Sequence, residues 1–322
     1  TYQPDTAQTS CDDADAGYYV DTTASTSQTA CAQGTFQPDQ AQSSCDDADP
    51  GHYVVGIGET TQTACNLGTY NPNSGSIAPS SCIHSSGGHY VDSVGSASQT
   101  ECAIGTYQEY EQTSSCDDAD AGYYVDSTAS TSQTECAAGT YQPDTAQTSC
   151  DDADAGYYVG TTAQSSQTAC AAGTFQIDTG QTSCDDADAG YYVDTTASTT
   201  QTACSAGTYQ PDTAQTSCDD ADAGYYVGTT AQSSQTACAA GTYQPNTGRT
   251  SCSDASPGYY IDSTASTSQT ACSVGTFQTD WGQSSCSDAS PGYYVGTTAS
   301  ATQTECASGT YQPETGQASC DD

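Results

Sequence analysis

Nineteen cysteines mark this chain at fixed intervals. From Cys11 to Cys320 the gaps alternate between 20 and 14 residues, with one exception, the 17 between Cys65 and Cys82. That regularity makes the chain a tandem array with a 34-residue period. Repeats run 31–64, 65–101, 102–135, 136–169, 170–203, 204–237, 238–271 and 272–305, flanked by partial repeats 1–30 and 306–322. Repeat 65–101 is atypical and carries a three-residue insertion. A unit this small cannot bury a core by itself. It needs cross-links and neighbours, and arrays of this kind are quasi-one-dimensional.

The apolar side chains present say the same. Hydrophobic residues are 34% of the chain, with one leucine (Leu67), no methionine and three phenylalanines. Tyr, Val, Ala and Cys supply most of the rest, which leaves too little for a conventional core. Small cysteine-rich units of this kind belong to oxidising, extracellular settings. No C-x-x-C occurs, so zinc ribbons and thioredoxin-type sites are not expected. The odd cysteine count places one disulfide partner outside residues 1–322 or leaves one thiol free.

Forty acids face a single base, Arg249, for a formal charge of −39. Nucleic acid is excluded as a partner, because phosphate backbones require cationic contacts. Anionic membrane surfaces are disfavoured for the same reason. Like chains repel unless cations screen them, so salt or divalent ions are expected partners. No stretch reaches 18 apolar residues, so no membrane span is expected in this window.

Within a repeat two halves share a pattern. In the repeat at Cys136, Gly139-Thr140-Tyr141 and Gly156-Tyr157-Tyr158 each open a half. Gln147-Thr148-Ser149-Cys150 and Gln167-Thr168-Ala169-Cys170 each close one. The repeat therefore reads as a diverged duplication. Gly, Pro, Asp and Ser interrupt it every few residues, while Tyr, Val and Thr favour strands. Pro143-Asp144 marks one turn, and Asp151, Asp152 and Asp154 fall in a second turn before Gly156. Apolar spacing of three and four is absent, which argues against helix. The expected fold is small disulfide-rich β: an elongated rod of tandem 34-residue repeats with short hairpins, long loops and no helix. Asp126, Gly160, Asp194, Gly228, Asp262 and Gly296 alternate at one place, a 68-residue superperiod. Recent duplication of a repeat pair accounts for it, as does a two-repeat unit with distinct faces.

The motif C-x-x-G-T-[YF]-Q stands at Cys31-Ala32-Gln33-Gly34-Thr35-Phe36-Gln37 and is followed by Q-x-S-C. Its opening recurs at Cys102, Cys136, Cys170, Cys204, Cys238, Cys272 and Cys306, while the Cys65 repeat has Asn71 in place of Gln. On these residues the whole chain resembles the ephrin-receptor-like cysteine-rich repeats, similar to modules of the tumour necrosis factor receptor family. That family usually has a further cysteine where this chain has Ala14, Ala48, Ala119 and Ala153. The resemblance implies pairing across the shorter gap: Cys31 with Cys45, Cys65 with Cys82, Cys102 with Cys116, Cys136 with Cys150 and Cys170 with Cys184. It likewise joins Cys204 to Cys218, Cys238 to Cys252, Cys272 to Cys286 and Cys306 to Cys320. Pairing across the 20-residue gap is the alternative, beginning with Cys11 to Cys31.

Three further features bear on function. The acidic tract at Asp12, Asp13 and Asp15, repeated at Asp117, Asp118 and Asp120, offers oxygen ligands of the kind calcium takes. A solvated acidic turn is the other reading. Tyrosine pairs such as Tyr18-Tyr19 and Tyr191-Tyr192 suit packing, or a carbohydrate-binding face. Thr/Ser tracts such as Thr22 to Ser27 suit O-glycans or plain polar loops. The only histidines are His52, His84 and His89, and a repeated scaffold offers no unique pocket, so no catalytic residue or required cofactor is expected. The reading is an extracellular or cell-surface structural protein forming a fibre, stalk or surface filament by self-association. An adhesive or ligand-binding receptor-like ectodomain is the alternative.

Overall fold

Each hairpin begins at a glycine whose backbone only glycine adopts without strain. In the computed structural model, which describes residues 1–322, Ala32 to Thr35 form a turn closed by Thr35 N–H to the Ala32 carbonyl at 3.0 Å. Gly34 sits third in that turn at φ 84°, the left-handed position of a type II turn. The Thr35 hydroxyl donates to the same Ala32 carbonyl at 2.9 Å. Thr35-Phe36 then extends and pairs antiparallel with Asp46-Asp47. The other half builds the same object, with Tyr18-Tyr19 against Thr29-Ala30. Thirty-four two-residue strands pair this way into two-stranded hairpins. There is no α-helix. One 3-10 turn, Pro79–Ser81, occupies the enlarged loop of the atypical repeat.

The chain divides into two compact units, Thr1–Asp152 with Val159–Gln167, and Ala153–Tyr158 with Thr168–Asp322. In the first, Gly17, Gly34, Gly51 and Gly68 open hairpins 17 residues apart, and Gly88, Gly105, Gly122 and Gly139 resume that step after the insertion. In the second, the step runs from Gly156 to Gly309. The 34-residue repeat is thus two hairpins of equal length. This corrects one detail of the sequence pattern. Counted from the turn glycine, Cys150 is equivalent to Gln167, not to Cys170, so the matching Gln-Thr-x-Cys endings are offset by three residues. Asp151-Asp152 also forms a strand rather than a turn.

Backbone bonds join successive hairpins. In the first unit Gly105 N–H donates to the Val125 carbonyl at 2.8 Å, Gln108 N–H to Ser130 at 3.0 Å and Ala129 N–H to Cys102 at 2.9 Å. In the second unit Gly190, Val193 and Ala214 N–H groups bond Gln210, Gln215 and Ala187 in the same way. Hairpins of one kind also meet each other directly. The turn glycine of each faces the loop of the next of its kind, Gly122 against Ala163 and Gly190 against Ala231. Disulfide hairpins therefore stack on disulfide hairpins, and Tyr-Tyr hairpins on Tyr-Tyr hairpins, within each unit.

The interior is thin and repeats at the same two positions. One holds Cys or Ala in alternation, Cys102, Ala119 and Cys136 all at 0% exposure. The other alternates Gln with Val, as in buried Gln108, Val125 and Gln142. A glutamine is tolerated there because both ends of its amide are used. Gln142 donates to the Ser149 carbonyl at 2.9 Å and accepts the Asp144 N–H at 3.1 Å. No buried side-chain polar atom lacks a partner.

Candidate functional site

Two different closures hold the loops. In one hairpin of each repeat a disulfide spans the loop: Cys31–Cys45, Cys65–Cys82, Cys102–Cys116, Cys136–Cys150, Cys170–Cys184, Cys204–Cys218, Cys238–Cys252, Cys272–Cys286 and Cys306–Cys320. The Cα separations lie between 5.6 and 5.9 Å. In the other hairpin, Ala and Gln stand at the places of the two cysteines, and the Gln amide grips the residue after the Ala. Gln28 and Asp15, Gln62 and Asp49, Gln201 and Asp188, and Gln235 and Asp222 form this clasp. In the second unit Ser256 and Ser290 replace the Asp, and their N–H groups still bond Gln269 and Gln303 at 2.7 Å. Sequence reasoning missed the clasp. Its signal is an Asp, or in two typical repeats a Ser, followed 13 residues on by a Gln.

This geometry divides the acidic tract. Asp117 and Asp118 lie in a strand paired with Tyr107 and Thr106, and adjacent strand residues point to opposite faces. Asp120 belongs to the next hairpin, where its Oδ2 accepts from Gln133. At the chain start Asp12 bridges Tyr2, and Asp15 is held by Gln28, while Asp13 is exposed. No group of three or more His, Cys, Asp or Glu is gathered closely enough to hold a metal ion. His52 and His89 open successive Tyr-type hairpins and His84 lies on an exposed strand; the three form no cluster. Cys11 is exposed and unpaired.

The tyrosine pairs are half-buried on their strands. The Tyr18 ring lies against the loop of the next hairpin of its kind, where a methyl on Gly58 would be 3.7 Å from Cζ. Acids lie near two single tyrosines of the disulfide hairpins. Burial first, then the charges of Asp120, Asp117 and Glu109, raises the Tyr107 pKa above the ordinary phenol value. Tyr209 is raised the same way, by burial and then by Asp222 and Asp219.

The surface concavities are open and polar. One groove runs over Tyr124, Asp126, Thr140 and Thr148 in the first unit. Its counterpart in the second unit runs over Tyr192, Asp194, Thr208 and Thr216, 68 residues on. The loop over Val125 to Thr134 leaves Thr128, Thr131 and Ser132 exposed, whereas Ser130 bonds back to the Ser127 carbonyl at 2.9 Å. No helix is long and apolar enough to cross a membrane. No protein-family model matches this chain, and no curated protein matches it.

Proposed function

We propose that this chain is an extracellular structural repeat protein that self-associates into a fibre, stalk or surface filament, and that it is not an enzyme. One observation carries the reading: the same hairpin pair, closed by one disulfide, recurs throughout, so no repeat holds a singular catalytic pocket. Disulfides in every repeat fit an oxidising compartment. The acidic surface keeps chains apart until cations screen it, which ties assembly to ionic strength. In this reading the exposed hydroxyls of Thr128, Thr131 and Ser132 and their counterparts are O-glycan acceptors. Electron microscopy of the purified protein across a salt series tests it. Filaments or bundles are the expected result, and dispersed single particles at every salt concentration would refute it.

The second reading is an adhesive or ligand-binding ectodomain, in keeping with the ephrin-receptor-like resemblance. The atypical repeat 65–101 favours it, since a receptor needs one place unlike the others. A binding activity lost on replacing that repeat by a typical one would decide for it.

A further inference from the structure

The exposed apolar side chains are not spread evenly. Eight of the twelve large ones lie between Val55 and Tyr110; the other four are Ile177, Val274, Trp281 and Tyr311. Part of that segment, holding Leu67, Ile77, Ile83 and Val94, is where the negative charge thins out. Between Glu59 and Glu101 the only acid is Asp92, in a chain with 40 acids. The two departures meet on one strand. Ile83-His84 pairs with Thr69-Tyr70 at the place where other disulfide hairpins carry Asp46-Asp47 or Asp117-Asp118. Both residues of that strand are exposed.

The disulfide hairpins of Gly68 and Gly105 are stacking neighbours in the first unit. The Gly68 turn faces the backbone of Gln112, so Leu67 and Tyr110 flank one contact. Ile77 lies over the Gly34 turn, its Cγ2 3.0 Å from where a methyl on that glycine would be. Leu67, Ile77, Ile83, Ile104 and Tyr110 are each at least 45% exposed. Clustered apolar exposure of this kind marks an interaction surface.

We propose that Leu67, Ile77 and Ile83, on the disulfide hairpin of Gly68, which carries no acid between Asn66 and His84, form the contact through which two copies of this chain pair. The inference rests on the self-association proposed above and locates its lateral pairing step. Charge selects the occupant. A cationic partner would be drawn to the acid-rich repeats rather than to the stretch with fewest acids. For a second copy carrying −39, this hairpin contributes no like charge of its own to oppose the approach, unlike the other disulfide hairpins. A two-fold contact sets the same patch against itself, so one apolar surface supplies both sides.

Sedimentation velocity over a concentration series, at low and at molar sodium chloride, tests the pairing. The variant carrying Ile83→Asp and His84→Asp restores the acid pair of the other hairpins, so its strand keeps a residue pair the fold already accepts. Non-reducing peptide mapping checks that its disulfides are intact. The expected result is reversible association of the unmodified chain that grows with concentration and is tightened by salt. The double variant should weaken it tenfold or more, and Ile177→Asp should leave it unchanged. If the double variant pairs as tightly as the unmodified chain, the patch is not the contact, although self-association stands. If the unmodified chain stays monomeric at every concentration and salt, both the contact and the self-association are refuted.

Discussion

Gln133 grips Asp120 from both sides of its amide: Oε1 accepts the Asp120 N–H at 2.7 Å, and Nε2 donates to Asp120 Oδ2 at 2.7 Å. The pair closes its loop where Cys102 and Cys116 close the preceding one, with Ala119 beneath at the place of Cys102.

The equivalence is testable by exchange. Ala119→Cys with Gln133→Cys should form a tenth disulfide. A 15-residue loop closed this way gains about 3 kcal/mol, and loss of the clasp costs about 1 kcal/mol, so net stabilisation is about 2 kcal/mol. Non-reducing mass spectrometry and urea unfolding read the two results.

The left-handed positions should respond to substitution in opposite senses. Ala146 holds φ 59° in a loop whose equivalents in the second unit include Gly180 and Gly248. Ala146→Gly should stabilise by about 1 kcal/mol through release of that strain. Gly190→Ala should cost more than about 2 kcal/mol, since φ is already 88° and the new methyl would lie 2.6 Å from the Ala231 carbonyl oxygen. Urea midpoints of the two variants check the signs.

Tyr107 and Tyr209 should titrate above the ordinary phenol value. Their folded pKa values are raised, so the stability they contribute is complete below the unfolded value of about 10 and is lost as pH climbs through the folded values. Ultraviolet titration should show a phase above the ordinary phenol value in the folded protein. Tyr107→Phe and Tyr209→Phe together should remove it.

Salt should stabilise the chain. With −39 formal charges, screening lowers self-repulsion, and the melting midpoint should rise with sodium chloride. Calcium and magnesium at equal ionic strength should follow one curve. A saturable rise with calcium alone would instead point to a calcium site.

The repeat, the hairpins and the missing helix were legible because turn glycines, β-formers and cysteines recur in register. The halving of the repeat was visible in Gly139 and Gly156, but the phase was not. Gln147 and Gln167 look alike in sequence, yet one lies within its loop and the other stands where Cys150 closes the preceding loop. Local composition cannot reveal which residues face each other across a loop. For the same reason Asp151 and Asp152 read as a turn, although Tyr141 and Thr140 pair with them. That Ile83-His84 replaces an acid pair can be read from the letters, but its hairpin's stacking neighbours, including the loop of Tyr110, require the fold.

The alternation of covalent and hydrogen-bonded closures sets how a repeat gives way under tension. The span from Cys102 to Cys116 is locked against pulling, whereas the next loop has the Gln133–Asp120 amide clasp where a disulfide would stand. A stretched chain should yield its slack in equal steps. Of 34 residues per repeat, the 14 spanned by the disulfide stay shut, leaving 20 to pay out. Each step then releases at most about 70 Å of contour at ~3.5 Å per residue, less the length the folded repeat already spans. In a reducing medium the locked span would be released as well, so the redox state of the surroundings sets how far the chain extends.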